Sequence, residues 1–157
     1  GRNALFLAKK GFEVTGVDIS KEAVNKFLKF AKDKKLDVQC IVSDFVDFKF
    51  KQEYDVIISV ATLHLILKNK VIDTIKKIKE HTKLNGINLL TVFTTKDIGF
   101  KEYPNLYFFD ESELKELYED WQILQYQNYV KEETHGKPHK HHICVLIAKK
   151  KSLSAQR

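Results

Sequence analysis

Two acidic residues stand where a short apolar run stops. Asp18 closes the run from Phe12 to Val17 in the stretch EVTGVDIS, and Asp44 follows the run from Val38 to Val42. A carboxylate at such a tip accepts hydrogen bonds. One can take both protons of a vicinal diol, and a second can take one from an exocyclic amino group. Each also has a plainer use as a turn residue, and Asp18, two residues before Ser20, can belong to the start of a helix. As a pair with a glycine turn beside them, they read as an adenosine-binding edge.

The elements that must position these acids alternate. Ala4, Leu5, Leu7 and Ala8 form a helical stripe over 2–10, and Gly11 supplies a C-cap. Residues 12–17 read as a strand. Ser20 is the N-cap of a helix over 21–34, whose Ala23, Val24, Phe27, Leu28 and Ala31 recur at helical spacing. Strands at 38–42 and 54–60 lack polar alternation, which belongs to parallel strands covered on both faces by helices. A helix over 68–83 carries Val71, Ile72, Ile75 and Ile78, and Asn85-Gly86 ends it before a strand at 87–93.

The remainder departs from alternation. A loop over 94–105, a short helix over 111–120 and a strand over 121–129 lead through the polar connection EETHGKPHKH to a last strand, HICVLIAKK. Two late strands without a helix between them predict an antiparallel hairpin at the edge of the sheet. The expected fold is therefore α/β: a Rossmann-like, mostly parallel sheet with helices on both faces and a C-terminal antiparallel hairpin. In such a sheet, ligands sit beyond the carboxyl ends of the strands, where Asp18 and Asp44 fall. Gly1 directly precedes the first helix and reads as the last glycine of a turn whose strand is expected upstream of it. The expected organisation is one domain over 1–150 and a polar tail over 151–157, with fraying from Lys149 on.

With 157 residues, 43% apolar and 11% aromatic, the chain has a folding composition. Its formal charge of +6 is scattered along helices and the tail, which argues against a specific nucleic-acid or membrane partner. Cys40 and Cys144 read as buried free thiols of a reducing compartment. No window approaches the roughly 18 apolar residues a membrane helix needs, and no signal-peptide pattern is visible. The expected setting is the cytoplasm.

Histidines supply the remaining chemistry. His64, in SVATLHLI, is either a base near the carboxyl end of a strand or a packing neighbour. His135 opens the loop His135-Gly136-Lys137-Pro138-His139, which Lys140, His141 and His142 follow; histidines there can orient or deprotonate a nucleophile, and a protonated one can draw in an anion. A metal role is not expected, because His141 and His142 point to opposite faces of a strand and no cysteine or acid completes a ligand spacing. Arg2 is a solvent residue or an anion-holding one. Tyr103, Tyr107, Phe108 and Phe109 form a lid over the crevice or, for at least one of Phe108 and Phe109, part of the core.

The set GRN, GFEVTGVDIS, VSDFVDF and YDVIISVATLHLI, over roughly residues 1–95, resembles the class I S-adenosylmethionine-dependent methyltransferases. Within that class GRNALFLAKKGFEVTGVDIS and the late EETHGKPHKHHICVLIAKK are most similar to the tellurite-resistance methyltransferases and the small enzymes grouped with them. The resemblance implies S-adenosyl-L-methionine as cofactor. Gly1 would match the second glycine of the cofactor motif, Asp18 the acid on the ribose hydroxyls, Ile19 the apolar residue beside the adenine, and Asp44 with Phe45 the adenine edge. Ser59 to Thr62 would be the loop facing the methionine end, with Arg2 beside the glycine turn. His135 would be a substrate-side catalytic residue, with His64 a second candidate. The family usually places arginine after that histidine; here Gly136 follows, which weakens tellurite as the substrate. The expectation is methyl transfer to a small-molecule nucleophile: a thiol, an amine or a chalcogen oxyanion. The rivals are a nonenzymatic cofactor-sensing or interaction module of the same fold and an NAD-dependent oxidoreductase.

Overall fold

A computed structural model of the chain describes residues 1–134 and 138–152. They fall into two compact units, Gly1–Lys49 and Phe50–Arg157.

The first unit is built from α1 (Arg2–Lys9), β1 (Val14–Asp18), α2 (Lys21–Asp33) and β2 (Val38–Val42). Both helices end in Schellman turns. After α1, Gly11 takes φ 87°, its N–H reaches Ala8 O at 3.0 Å and Phe12 N–H reaches Leu7 O at 3.2 Å. After α2 the left-handed position is filled by Lys35 at φ 55°, with Leu36 N–H on Ala31 O at 2.9 Å. Ser20 caps α2, its hydroxyl accepting from Ala23 N–H at 3.1 Å. The helix buries Val24, Phe27 and Ala31 along one stripe. β1 and β2 pair in parallel from Val14↔Val38 to Asp18↔Val42. Gly16 lets the Cys40 side chain close in, since a Cβ there would lie 3.1 Å from its Sγ.

The second unit holds β3 (Tyr54–Val60), a 3-10 turn (Leu63–Leu65), α3 (Lys68–Glu80), β4 (Thr82–Phe93), the short helices α4 (Gly99–Glu102) and α5 (Glu113–Glu116), β5 (Gln122–Glu133) and β6 (His139–Lys149). Its sheet runs β3-β4-β6-β5, with β3 and β4 parallel and β6 antiparallel to β4 and to β5. The edge hairpin expected from the sequence is present. Val71, Ile75 and Ile78 of α3 and Leu90, Val92, Leu114, Tyr118, Leu146 and Ala148 form its core. Phe108 and Phe109 are both core residues, while Tyr103 is exposed.

Several sequence expectations shift here. The helix expected over 68–83 stops at Glu80, and β4 begins at Thr82 instead of 87. Asn85, at φ 64°, and Gly86 do not end a helix but absorb a bulge, where the register passes from Tyr54↔Thr82 to Val56↔Ile87. Only glycine fits the second place, because a Cβ on Gly86 would lie 2.8 Å from Lys83 O and 3.0 Å from Asp55 O. The loop 94–105 contains α4, and the helix expected over 111–120 is regular only over Glu113–Glu116. Of the described residues in the polar connection, Glu132 and Glu133 belong to β5 and His139 to β6, so His139 joins His141 and His142 on the last strand. Finally, Lys149 is not frayed: it ends β6, and Lys150 N–H donates to Gly86 O at 2.9 Å while its ammonium reaches Thr82 O at 2.7 Å.

Among the described residues no helix is long and apolar enough to cross a membrane. Both thiols are free; Cys144 is buried and Cys40 partly so.

Candidate active site

In the first unit the parallel pair β1–β2 presents both acids at its carboxyl end. Asp18 pairs with Val42, the ladder continues with Ser43 N–H on Asp18 O at 3.0 Å, and Asp44 follows one residue on. Parallel neighbours lie about 4.8 Å apart, so the two carboxylates share one rim. Each makes the same local turn. Asp18 Oδ1 accepts from Ser20 N–H at 2.8 Å, and Asp44 Oδ1 accepts from Val46 N–H at 2.9 Å. Both residues are exposed, and among the described residues no hydrogen bond reaches Oδ2 of either. The plain turn role and the ligand-holding role therefore use different oxygens of the same side chain. The field of Asp18 is felt by Cys40, whose thiol is pushed up first by burial and then by that negative charge.

The neighbours of this rim suit an uncharged flat ligand. Ile19 is 71% exposed beside Asp18, an unusual state for isoleucine that leaves its apolar face available. Phe45 is half-buried beside Asp44. Gly1 is the N-cap of α1, which has no side-chain cap and no acid in its first turn. Its first N–H groups are thus open to an anion or a lone pair. A side chain at Gly1 would collide with Phe27, whose Cδ2 lies 2.5 Å from the Cβ position. Arg2 stands exposed on that first turn.

In the second unit the carboxyl ends of the parallel pair β3–β4 carry two loops. After β3, Ala61 is held in the left-handed region at φ 52°, costing about 1–2 kcal/mol for a non-glycine residue. Its N–H is taken by Thr91 O and Thr91 Oγ1, both at 3.0 Å. This strained turn delivers His64, which is 5% exposed and stacks on Phe93 at 3.9 Å between ring centroids. Burial lowers its pKa to about 4, the nearby Asp97 charge opposing and His141 adding to the effect. His64 is therefore neutral at pH 7. Its Nδ1 is buried without a hydrogen-bond partner among the described residues, as are Ser59 Oγ and Thr94 Oγ1. Buried polar atoms left open at strand ends are a place for ligand or water atoms.

After β4, Asp97 organises the other loop. Its side chain is only 1% exposed. Oδ1 accepts from Gly99 N–H at 2.9 Å; Oδ2 accepts from His142 N–H at 2.8 Å and lies 3.0 Å from His141 Nδ1. His141 Nε2 is in turn 3.0 Å from His139 Nε2. Phe93 stacks on His141 at 4.4 Å and 22°, so its ring is held between His141 and His64.

Sequence reasoning missed Asp97 and Phe93. A signal existed: starting the last strand at His139 puts His139 and His141 on one face by the strand's period of two. His135, the substrate-side candidate, lies outside the described residues, as do Gly136 and Lys137. Among the described residues no group of three or more histidines, cysteines or acids is placed to hold a metal ion.

The parallel pairs, their helices and the antiparallel last strand are those of a class I methyltransferase fold, which is how solved structures match the chain. The crystal structure of TehB from Haemophilus influenzae superposes with a TM-score of 0.86 at 27% identity, over 96% of this chain and 54% of that one. Magnesium protoporphyrin IX methyltransferase from Synechocystis PCC 6803 with bound SAM gives 0.70 at 17% identity, over 96% of this chain and 65% of that one. The family model of tellurite resistance protein TehB matches residues 1–145, and the chain belongs to that family. A probable S-adenosyl-L-methionine-dependent methyltransferase TehB of Haemophilus influenzae is 31% identical over 156 residues, covering 96% of this chain and 54% of the relative. The chain thus spans about half the length of the curated relatives it matches.

Proposed function

We propose that this protein transfers a methyl group from S-adenosyl-L-methionine to a small-molecule nucleophile: a thiol, an amine or a chalcogen oxyanion. The observation that carries the reading is the matched pair of rim acids, each with one carboxylate oxygen spent on a turn and the other without a hydrogen bond among the described residues. Family membership supports the choice of cofactor. When bound, the cofactor supplies an electrophilic methyl group on a sulfonium that is already a good leaving group, so the protein's work is positioning and electrostatics.

The chain's own residues divide that work. Asp18 would hold the ribose hydroxyls, and Ile19 would pack beside the adenine. Asp44, with Phe45, holds the adenine amino edge. Gly1 leaves the start of α1 open to the ligand, and Arg2 draws the carboxylate of its methionine end. Ser59 offers a buried hydroxyl with no hydrogen-bond partner among the described residues. His64, neutral and buried, can share a hydrogen bond but cannot act as a cation at pH 7. His135 stands on the acceptor side through the family likeness.

The stretch 94–109 between β4 and Asp110 is short and partly committed to the core through Phe108 and Phe109, which favours a small acceptor over a protein or nucleic acid. The scattered +6 charge favours neither a nucleic-acid nor a membrane partner. An NAD-dependent oxidoreductase also ends its second strand in an acid, but Asp44 after the next strand and the antiparallel β6 fit the methyl donor better.

Calorimetry with S-adenosylmethionine, S-adenosylhomocysteine and NAD tests the reading. Binding of the first two and not the third is expected; NAD binding alone would overturn it. Tight binding without transfer to thiol, amine, selenite or tellurite would favour a sensing role.

A further inference from the structure

We propose that a cleft between the loop after β4, the segment leading into α5 and the β5–β6 hairpin binds a small zwitterion, an α-amino acid with a short hydroxyl-bearing side chain. The cleft encloses about 230 Å³, room for about eight waters, and lies wholly within the second unit. Sheet register builds its floor. Asn128 pairs with Cys144 and Val130 with His142, Val92 pairs with Cys144, and Thr94 N–H carries the ladder on to His142 O at 2.9 Å. By the strand's period of two, Thr94, Asn128, Val130 and His142 share one face. Phe93 and His141, stacked on each other, take the opposite face, so the cleft is separate from the contact between Asp97 and His141.

Lys96 and Glu111 line the same cleft. Lys96 Nζ meets Glu111 Oε2 at 2.7 Å with both side chains well exposed, so the pair contributes little to stability. Neighbouring contacts hold the two residues in place instead. Thr95 N–H donates to Phe109 O at 3.0 Å and its hydroxyl to Asp110 Oδ1 at 3.1 Å. Glu111 O accepts from Asn128 Nδ2 at 3.2 Å and from the Tyr126 hydroxyl. The ion pair can therefore open while both backbones stay fixed. On the floor, Thr94 is 1% exposed and its Oγ1 has no hydrogen-bond partner among the described residues, a cost that a bound hydroxyl removes.

These groups select by charge. A simple anion drawn to the Lys96 ammonium meets the Glu111 carboxylate beside it, and a simple cation drawn to Glu111 meets Lys96. A ligand bearing both charges on neighbouring groups replaces the ion pair with two new ones, its carboxylate on Lys96 and its ammonium on Glu111. An α-amino acid does this. Its side chain then runs toward Thr94, where the volume admits a few atoms and the threonine hydroxyl favours a group that can donate or accept. Val130 supplies only a narrow apolar wall, which disfavours a large aliphatic or aromatic side chain. The site does not depend on methyl transfer, since none of its residues belongs to the rim of Asp18 and Asp44.

Nitrogen-15 NMR of the full chain, titrated with L-serine, tests the site. Saturable shifts should gather at Thr94, Asn128, Val130 and His142, with a Kd in the millimolar range, as suits so small a ligand. Acetate and ethanolamine, each carrying one of the two charges, should bind at least about tenfold more weakly. Lys96→Met and Glu111→Gln should each weaken L-serine about tenfold and leave the melting temperature unchanged. L-alanine should bind about fivefold more weakly than L-serine, and Thr94→Val, which keeps the shape, should remove that preference. The double variant Asp18→Asn, Asp44→Asn should keep L-serine binding. Absence of saturable shifts, equal affinity for acetate, or full L-serine affinity in both charge variants would overturn the site. Loss of L-serine binding in the double variant would overturn it too, by putting the zwitterion on the rim. S-adenosylmethionine binding is read separately by calorimetry, so either reading can fail without the other.

Discussion

Asp97 Oδ2 lies 3.0 Å from His141 Nδ1 across 44 residues of sequence, tying the loop after β4 to the start of β6 through a side chain that is 1% exposed. The same carboxylate accepts from two backbone N–H groups. Asp97→Ala leaves those buried donors unpaired, each at about 1–3 kcal/mol. Urea unfolding should show a loss of about 3 kcal/mol; a loss under about 1 kcal/mol would mean that the loop is held by other contacts.

His64 makes stability depend on pH. Its folded-state pKa is about 4, below the ordinary 6.5, so between those values the unfolded chain binds a proton that the folded chain does not. The contribution is complete above about pH 6.5 and is lost as pH falls toward 4, amounting to about 3 kcal/mol. His64→Phe, which keeps a ring against Phe93, should flatten that part of the profile when unfolding free energies are compared at pH 4.5 and 7. Identical slopes in both proteins would show that His64 does not resist protonation.

The two rim acids can be separated from their turns. Asp18→Asn and Asp44→Asn each keep a carbonyl oxygen for the N–H of Ser20 or Val46 while removing the charge. Thermal stability should change little. Affinity for S-adenosylmethionine should fall at least about tenfold at each site, as expected for loss of a charged hydrogen bond of about 1.5–3 kcal/mol. Unchanged affinity in both variants would remove the adenosine edge from the account.

Lys35 occupies the left-handed position after α2 at φ 55°, where a Cβ is costly. Lys35→Gly should therefore stabilise the protein by about 0.5–1 kcal/mol, part of the relieved strain being offset by the freedom glycine gains in the unfolded chain. A lower melting temperature would show that this turn is not strained.

Tyr118 and Asn88 are both fully buried, with the hydroxyl 2.9 Å from Asn88 Nδ2, and the other end of that amide is 2.8 Å from Thr82 Oγ1. Tyr118→Phe keeps the packing and strands one end of the amide, so it should cost about 1–3 kcal/mol. Chemical denaturation will show this as a shifted midpoint with an unchanged slope; an unshifted midpoint would mean the amide finds another partner.

Much of this was legible along the chain because it depends on near neighbours. Ser20 as a cap, Gly11 as a helix stop, the apolar strands 38–42 and 54–60 and the acids at Asp18 and Asp44 follow from capping chemistry and side-chain period, which act within a few residues. What only the tertiary structure decided involves partners far apart in sequence. Asn85-Gly86 looked like the end of a helix and is a bulge, because β3 dictates the register there. His139 looked like a loop residue and is a strand residue, because β5 extends to meet it. Asp97, in a stretch with no periodicity to mark it, became the centre of a buried network only when β6 brought His141 and the His142 amide to it. Local physics sets which elements form; which distant side chains meet is settled by sheet register and burial.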